Sequence, residues 1–354
     1  MHRSVFIVLV ISVVFGTFIV LSSHHWFTLW VGLEVNTLSI LPILCGGFLP
    51  RKVESSVKYF LVQSVSAAVI LNVVVIQAWF SSSWLVGQPL LSVCSVLITL
   101  AVGLKLGLFP CHYWFPDVVQ GVGFLEGLVL STWQKLAPFS VLVYVINSVD
   151  IRALVCLGVL SVLIGGWGGL NQTQVRKILA FSSVAHMGWI CSTVGYSVNA
   201  GCIMLLVYVI TNSSVFLIAS EFDLKTLSHV GRLSYFSLGG SAGMVLGVLS
   251  LGGLPPLFGF LIKFVSLKCL LESGSILASG FLVAGSLLSL FYYLRVSFNS
   301  SLVLFPQHSL VLFGWRGLLG GNSGAVTVRG LVLCGGLSVS LLGLVSLPVF
   351  ASLL

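Results

Sequence analysis

The chain has 354 residues, of which 58% are hydrophobic and only 7% charged, against about 25% charged in ordinary soluble domains; a water-soluble globule, and with it a soluble enzyme, is excluded. Mean hydropathy is +1.15, and the long apolar stretches indicate a polytopic membrane protein, since about 20 apolar residues suffice to cross a bilayer. The formal charge of +8 does not mark a nucleic-acid partner, because the basic residues are scattered among apolar segments instead of clustering on a soluble face.

Apolar runs separated by polar or turn-rich punctuation predict eleven helical spans, at about 4–22, 25–47, 57–80, 90–110, 121–146, 153–171, 176–196, 199–220, 233–266, 275–298 and 329–350. Runs such as Val5 to Leu21 are apolar all round, whereas barrel strands would alternate polar and apolar residues over about ten positions. The expected fold is an all-α polytopic membrane protein forming a single membrane domain over 1–354. If the chain alternates sides from its first residue, one face collects Arg3, Arg51, Lys52, Lys58, Arg176, Lys177, Lys225, Arg232, Arg295, Arg316 and Arg329, and the other only Arg152 and Lys268. The excess of basic residues places the N-terminus on the cytoplasm-equivalent side. That terminus carries one Arg and runs straight into an apolar helix, so no removable targeting segment is expected.

Three lysines, Lys105, Lys135 and Lys263, fall inside the hydrophobic runs, where each costs about 2.5–3.5 kcal/mol to insert at a span centre. Snorkelling or a helix-end position is the bland explanation for any one of them, and Lys263, near the end of the long ninth segment, fits it best. Glu34 lies about ten residues into the second span, the most deeply embedded acid in the chain. Burial favours the neutral form of any ionisable group, whereas an opposite charge within about 4–6 Å favours the ionised form; Lys105 is the candidate partner for Glu34. A lysine that alternately has and lacks a carboxylate neighbour can hold or release a proton. His112, His186, Ser182 and Ser183 are candidate relay stations, although a satisfied packing role is the commoner fate of each taken singly.

Helix breakers accompany two of these lysines: Gly103, Gly107 and Pro110 around Lys105, and Gly252, Gly253, Pro255 and Pro256 ahead of Lys263. Interrupted helices expose carbonyls and amides at mid-membrane depth, where transporters place their sites. Glu34 on span two and Lys105 on span four are followed five spans later by His186 and Lys263. An odd repeat of five helices enters the membrane inverted, so residues 4–146 and 153–298 are expected to form two inverted five-helix repeats with broken helices, and 299–354 a connecting loop and a C-terminal helix. The remaining signals point to no further chemistry. Eight cysteines without a CxxC pair are read as small apolar fillers, not as a disulfide or zinc framework. The Asn171, Asn212 and Asn299 glycosylation patterns adjoin or lie within spans or on the basic face and are discounted, and neither GxGxxG nor Walker A occurs, so no nucleotide or redox cofactor is expected in this chain.

The runs Gly32-Leu-Glu34-Val-Asn36, Lys105 to Asp117, Thr132-Trp-Gln-Lys135-Leu-Ala-Pro138, Gly168 to Trp189 with Arg176, Lys177 and His186, and Gly252 to Lys263 resemble the subunit 2 family of mitochondrial NADH:ubiquinone oxidoreductase, respiratory complex I. The resemblance covers residues 30 to 263; beyond about 266 the tail rests on hydropathy alone. It implies an antiporter-like proton channel in the membrane arm, in the mitochondrial inner membrane with the N-terminus in the matrix, beside other membrane-arm subunits including further antiporter-like ones. NADH, FMN, iron–sulfur clusters and ubiquinone would then belong elsewhere in the complex. Carried over by motif, Glu34 and Lys105 resemble the input-half ion pair, Lys135 the adjacent relay, His186 a central relay and Lys263 the output-half lysine. Bacterial members of that family have three further helices ahead of the span carrying the glutamate. Two other readings stay open at this point: a stand-alone cation/proton antiporter or small-solute transporter, and a structural scaffold whose buried charges bind its neighbours.

Overall fold

The computed structural model describes residues 3–236 and 238–301; the predicted span at 329–350, Arg316, Arg329 and Cys334 lie outside them. In hydrocarbon each backbone N–H and C=O must be satisfied within its own segment, and the described residues are correspondingly helical. The order is α1 (Arg3–Ser22), α2 (Trp26–Leu44), α3 (Pro50–Ser81), α4 (Ser92–Leu106), α5 (Trp114–Gly121), α6 (Phe124–Ser131), α7 (Leu136–Val145), α8 (Ile151–Gly169), α9 (Val175–Val194), α10 (Val198–Glu221), α11 (Leu227–Gly231), α12 (Leu233–Phe236), α13 (Leu238–Gly252), α14 (Phe258–Glu272) and α15 (Ile276–Ser301).

Among the described residues, α1, α2, α3, the stretch Phe124–Ser148, α8, α10 and α15 are long and apolar enough to cross a bilayer. Three of the helices that fall short of that standard carry key polar residues: α4 and α14 are only 15 residues long, and α9 is rich in polar side chains. A polar helix is tolerable at the position of α9 because protein surrounds it; residues 182–194 are all buried. Its approach to α8 needs small residues, as a Cβ on Gly188 would lie 2.6 Å from the Gly158 carbonyl, and one on Gly158 2.7 Å from that of Gly188.

Several predicted limits are corrected. The third span starts at Pro50, not 57, because Pro suits the first helical position and the charged residues after it are helical, with Lys58 and Glu54 paired at 2.7 Å one turn apart. Predicted span 121–146 is α6 and α7 separated by a 3₁₀ turn at Trp133–Lys135. Pro138, which has no N–H to offer the carbonyl four residues back, stands just beyond that turn. The segment 233–266 is likewise two principal helices, α13 and α14, separated at Gly253–Leu257.

Two isolated extended pairings tie the turns at either end of the bundle: His25 with Leu85, and Gln174 with Thr226. The second lies beside Arg176, Lys177 and Lys225, in keeping with the basic face read from the sequence. Lys52 pairs with Glu126 at 2.6 Å, and the other carboxylate oxygen of Glu126 accepts from the Gly123 amide at the start of α6. Arg176 donates to the Val122 carbonyl and Arg295 to that of Gln172. The Lys52 and Arg176 bonds fix the α5–α6 corner against α3 and α9, and the Arg295 bond ties α15 to the turn between α8 and α9.

Candidate functional site

Buried Lys105 and Lys135 and half-buried Lys263 each sit at a helix discontinuity. Lys105 occupies the last turn of α4, which ends because Gly107 adopts φ +76°, a conformation that costs a side-chain-bearing residue strain. The Leu104 carbonyl near that end accepts from the Trp114 indole at 3.1 Å. Lys135 closes the 3₁₀ turn between α6 and α7. Lys263 lies in the second turn of α14, just beyond the break, and its ammonium donates to the Gly252 carbonyl at 2.6 Å. The placement expected for Lys263, near the end of one long helix, is therefore replaced by a position close to the start of a new one, and its amine is turned into the break instead of snorkelling away.

Lys105 and Lys135 are 4% and 3% exposed, and both line one small cavity of about 10 Å³. That is close to the least room a single water needs. Its polar lining comes from Asn36, Tyr59, Gln63 and Gln134. Lys105 donates to the carbonyl and side-chain oxygens of Gln63, both at 3.4 Å. Gln134 donates to Asn36 at 2.9 Å and accepts from Tyr59 at 3.4 Å. Hydrogen-bonding groups thus flank the space separating the two amines.

From Lys135 the line continues through α9 and α10. The amine contacts the Ser183 carbonyl at 3.4 Å and the Tyr208 hydroxyl at 3.3 Å, and lies about 5 Å over the rings of Phe115 and Tyr208. The Tyr208 hydroxyl donates to the Ser131 carbonyl at 3.0 Å and is contacted by Asn212 at 3.3 Å. His186 stacks on Tyr208 with centroids 5.4 Å apart, and its Nε2 meets the Tyr293 hydroxyl at 3.4 Å. Tyr293 packs on Gly252, the residue whose carbonyl holds Lys263. The Ser182 and Ser183 hydroxyls donate to the Leu179 and Ala180 carbonyls of their own helix, each at 2.7 Å.

Two expectations change in detail. Glu34 forms no ion pair with Lys105: among the described residues the pairs within 4.0 Å are Lys52–Glu126, Lys58–Glu54, Lys225–Asp223 and Lys268–Glu272. The Glu34 carboxylate instead accepts from Thr37 on its own helix at 3.2 Å, while Lys105 points to Gln63 on α3. His112 is 1% exposed with Nδ1 3.3 Å from the Pro110 carbonyl and no partner for Nε2. It does not line the cavity between the lysines. Sequence reasoning missed Tyr208, Tyr293, Gln63, Gln134 and Asn212, because a tyrosine or amide within an apolar run carries no charge signal. The glycosylation pattern at Asn212 was correctly set aside, since that side chain is buried and bonded to Ser131 at 2.9 Å.

Residues 23–289 match the family model described as NADH:quinone oxidoreductase/Mrp antiporter, transmembrane. A NADH-ubiquinone oxidoreductase chain 2 from Patiria pectinifera is 69% identical over 354 residues, covering all of both chains. One from Pisaster ochraceus is 57% identical over 98% of each. Among solved structures, a chain of respiratory complex I from Thermus thermophilus, with bound aureothin, superposes with a TM-score of 0.85 at 26% identity, covering 98% of this chain and 80% of that one.

Proposed function

The chain belongs to the NADH:quinone oxidoreductase/Mrp antiporter family and is an antiporter-like, multi-pass membrane subunit of mitochondrial complex I, and from that premise we propose that Glu34, Lys105, Lys135, His186 and Lys263 form its proton-transfer line. The observation that carries this reading is the continuity of the polar path. Lys105 and Lys135 share a cavity, Lys135 touches Tyr208, His186 lies between Tyr208 and Tyr293, and Tyr293 packs on the residue that holds Lys263. Proton transfer needs hydrogen-bonded neighbours, with or without one intervening water; the Lys135–Tyr208 and His186–Tyr293 contacts are of that kind, while the ring contact of His186 with Tyr208 and the packing of Tyr293 on Gly252 set the groups side by side.

In the proposed sequence, a change in the field at Glu34 alters how firmly Lys105 holds its proton. Lys105 and Lys135 exchange that proton across the cavity lined by Gln63 and Gln134, and the charge on Lys135 then acts on His186 and Lys263. Quinone reduction elsewhere in the complex supplies the driving force, and the redox groups lie in other subunits. We assign the basic face to the matrix, the N-terminus with it, and further antiporter-like subunits as lateral neighbours. The inverted-repeat reading of 4–146 and 153–298 is supported by breaks of similar form at Gly107 and Gly253, with φ of +76° and +77°. Lysine precedes the first break and follows the second.

The test uses the intact complex in proteoliposomes carrying Lys105→Met or Glu34→Gln. Loss of proton pumping and of coupled turnover, with assembly preserved, is the expected result. Unchanged proton-to-electron stoichiometry and turnover in a correctly assembled variant would refute the line, and loss of assembly ahead of pumping would favour a scaffold.

A further inference from the structure

On the face opposite the basic one, the start of α8, Tyr196 just beyond α9, and the turn and first residues leading into α15 line an open groove of about 540 Å³. That size lies within the roughly 300–1,000 Å³ usual for sites that bury a small molecule. Its walls are apolar, with Val159, Leu160, Leu277 and Phe281 among them, and its polar edge is formed by Arg152 and Tyr196. The apolar side is presented outward: Leu277 is 82% and Phe281 55% exposed.

The charge pattern at that edge is unusual for this chain. Arg152 and Lys268 are the basic residues that topology puts on this face, and Lys268 has Glu272 at 3.9 Å. Arg152 has no carboxylate within 4.0 Å of its guanidinium among the described residues; Asp150 is engaged by the Arg152 backbone amide at 3.1 Å as the cap of α8. An exposed arginine therefore stands at the membrane-interface end of a groove whose remaining wall suits hydrocarbon. Guanidinium is matched to phosphate by bidentate geometry, and tyrosine is favoured at headgroup level.

We propose that this groove is a binding site for one anionic phospholipid, with its phosphate on Arg152 beside Tyr196 and an acyl chain along α8 and α15. A zwitterionic lipid offers the same phosphate but brings its own cation, so the unpaired arginine selects the anionic class. The site lies apart from the proton-transfer line, and its test reads out independently of pumping.

The experiment reconstitutes the intact complex in bilayers doped with either phosphatidylglycerol or phosphatidylcholine bearing a photoactivatable diazirine on one acyl chain. After irradiation, adducts are mapped on peptides from 151–169 and 276–301. The phosphatidylglycerol probe is expected to label both peptides several-fold more than the phosphatidylcholine probe. Arg152→Gln should bring the two probes level, and Arg152→Lys should keep most of the preference. Equal labelling by both probes, labelling insensitive to Arg152→Gln, or no adduct on either peptide overturns the proposal. Should the Gln variant fail to assemble, the wild-type complex at raised ionic strength decides, because a charge-held preference falls with salt and one set by chain packing does not.

Discussion

Tyr208→Phe isolates one atom of the proposed line. The phenyl ring remains, and with it the stacking on His186 at 5.4 Å and the ring beneath Lys135 at 5.0 Å; only the hydroxyl is lost. That hydroxyl donates to Ser131 at 3.0 Å and meets Lys135 and Asn212, each at 3.3 Å. A bond between neutral groups contributes about 1 kcal/mol and one to a charged amine about 1.5–3 kcal/mol. A proton step that runs through this hydroxyl therefore loses about 1.5–3 kcal/mol of support, or about 10- to 150-fold in rate at 1.36 kcal/mol per decade. The assay is NADH-driven quinone reduction by the intact complex in proteoliposomes, with and without an uncoupler, alongside dye-reported proton uptake. Coupled turnover and proton uptake should both fall while the complex assembles normally, because the side-chain volume is nearly unchanged. Wild-type turnover and stoichiometry in assembled Tyr208→Phe complex would show that protons bypass this contact.

Tyr293→Phe removes a weaker, 3.4 Å contact with His186, so the same assay should show a smaller defect, about fivefold for the loss of about 1 kcal/mol; a defect larger than that of Tyr208→Phe would reverse the assigned order of importance. Gly253→Ala puts a side chain at φ +77° and a Cβ 2.9 Å from the Lys263 chain, costing about 1–2 kcal/mol of backbone strain and pushing the amine off the Gly252 carbonyl. Pumping should drop even though no titratable group is altered, and Gly253→Ala complex that pumps normally would count against a role for that carbonyl. Glu126→Gln breaks the 2.6 Å pair with Lys52 and weakens the cap of α6; thermal stability should fall by about 1–3 kcal/mol with protons per electron unchanged, and an altered stoichiometry would bring this corner into the pathway.

Much of the architecture was legible because insertion into lipid leaves a strong sequence trace. Apolar runs of span length located α1, α2, α8 and α10 to within a few residues, and the expense of a buried ammonium singled out Lys105, Lys135 and Lys263 without any structure. Limits failed where hydropathy and helicity diverge. Arg51, Lys52 and Glu54 fall outside the predicted span yet form the first turns of α3, since charges at the bilayer edge are compatible with helix. The break at Trp133–Lys135 falls within a stretch long enough to read as one span, and its local signs, the polar residues Ser131, Thr132, Gln134 and Lys135 with Pro138 beyond them, do not say whether the helix ends there. Partners of the lysines were unreadable for a different reason: Gln63, Ser183, Tyr208 and Tyr293 lie on four other helices, and only the packing of α3, α9, α10 and α15 brings them to the amines.

The distribution of charge along the line sets how it can work. Four groups able to carry positive charge, Lys105, Lys135, His186 and Lys263, are accompanied by a single acid, Glu34, which is near the Lys105 end. Two unit charges about 8 Å apart at an effective dielectric near 20 repel by about 2 kcal/mol, comparable with the 2.3 kcal/mol needed to move one charge through 100 mV. At that separation, protonating one member of the proposed line would raise the energy of a proton on its neighbour by about the amount that pumping requires. Glu34 would relieve that penalty at one end only. On this proposal a change in the field there would shift the balance at Lys105 first, and repulsion would hand the change onward through Lys135 to His186 and Lys263. A line with an acid beside every lysine would hold its protons firmly and transmit little, so in the proposed line the scarcity of carboxylates would itself be part of the coupling.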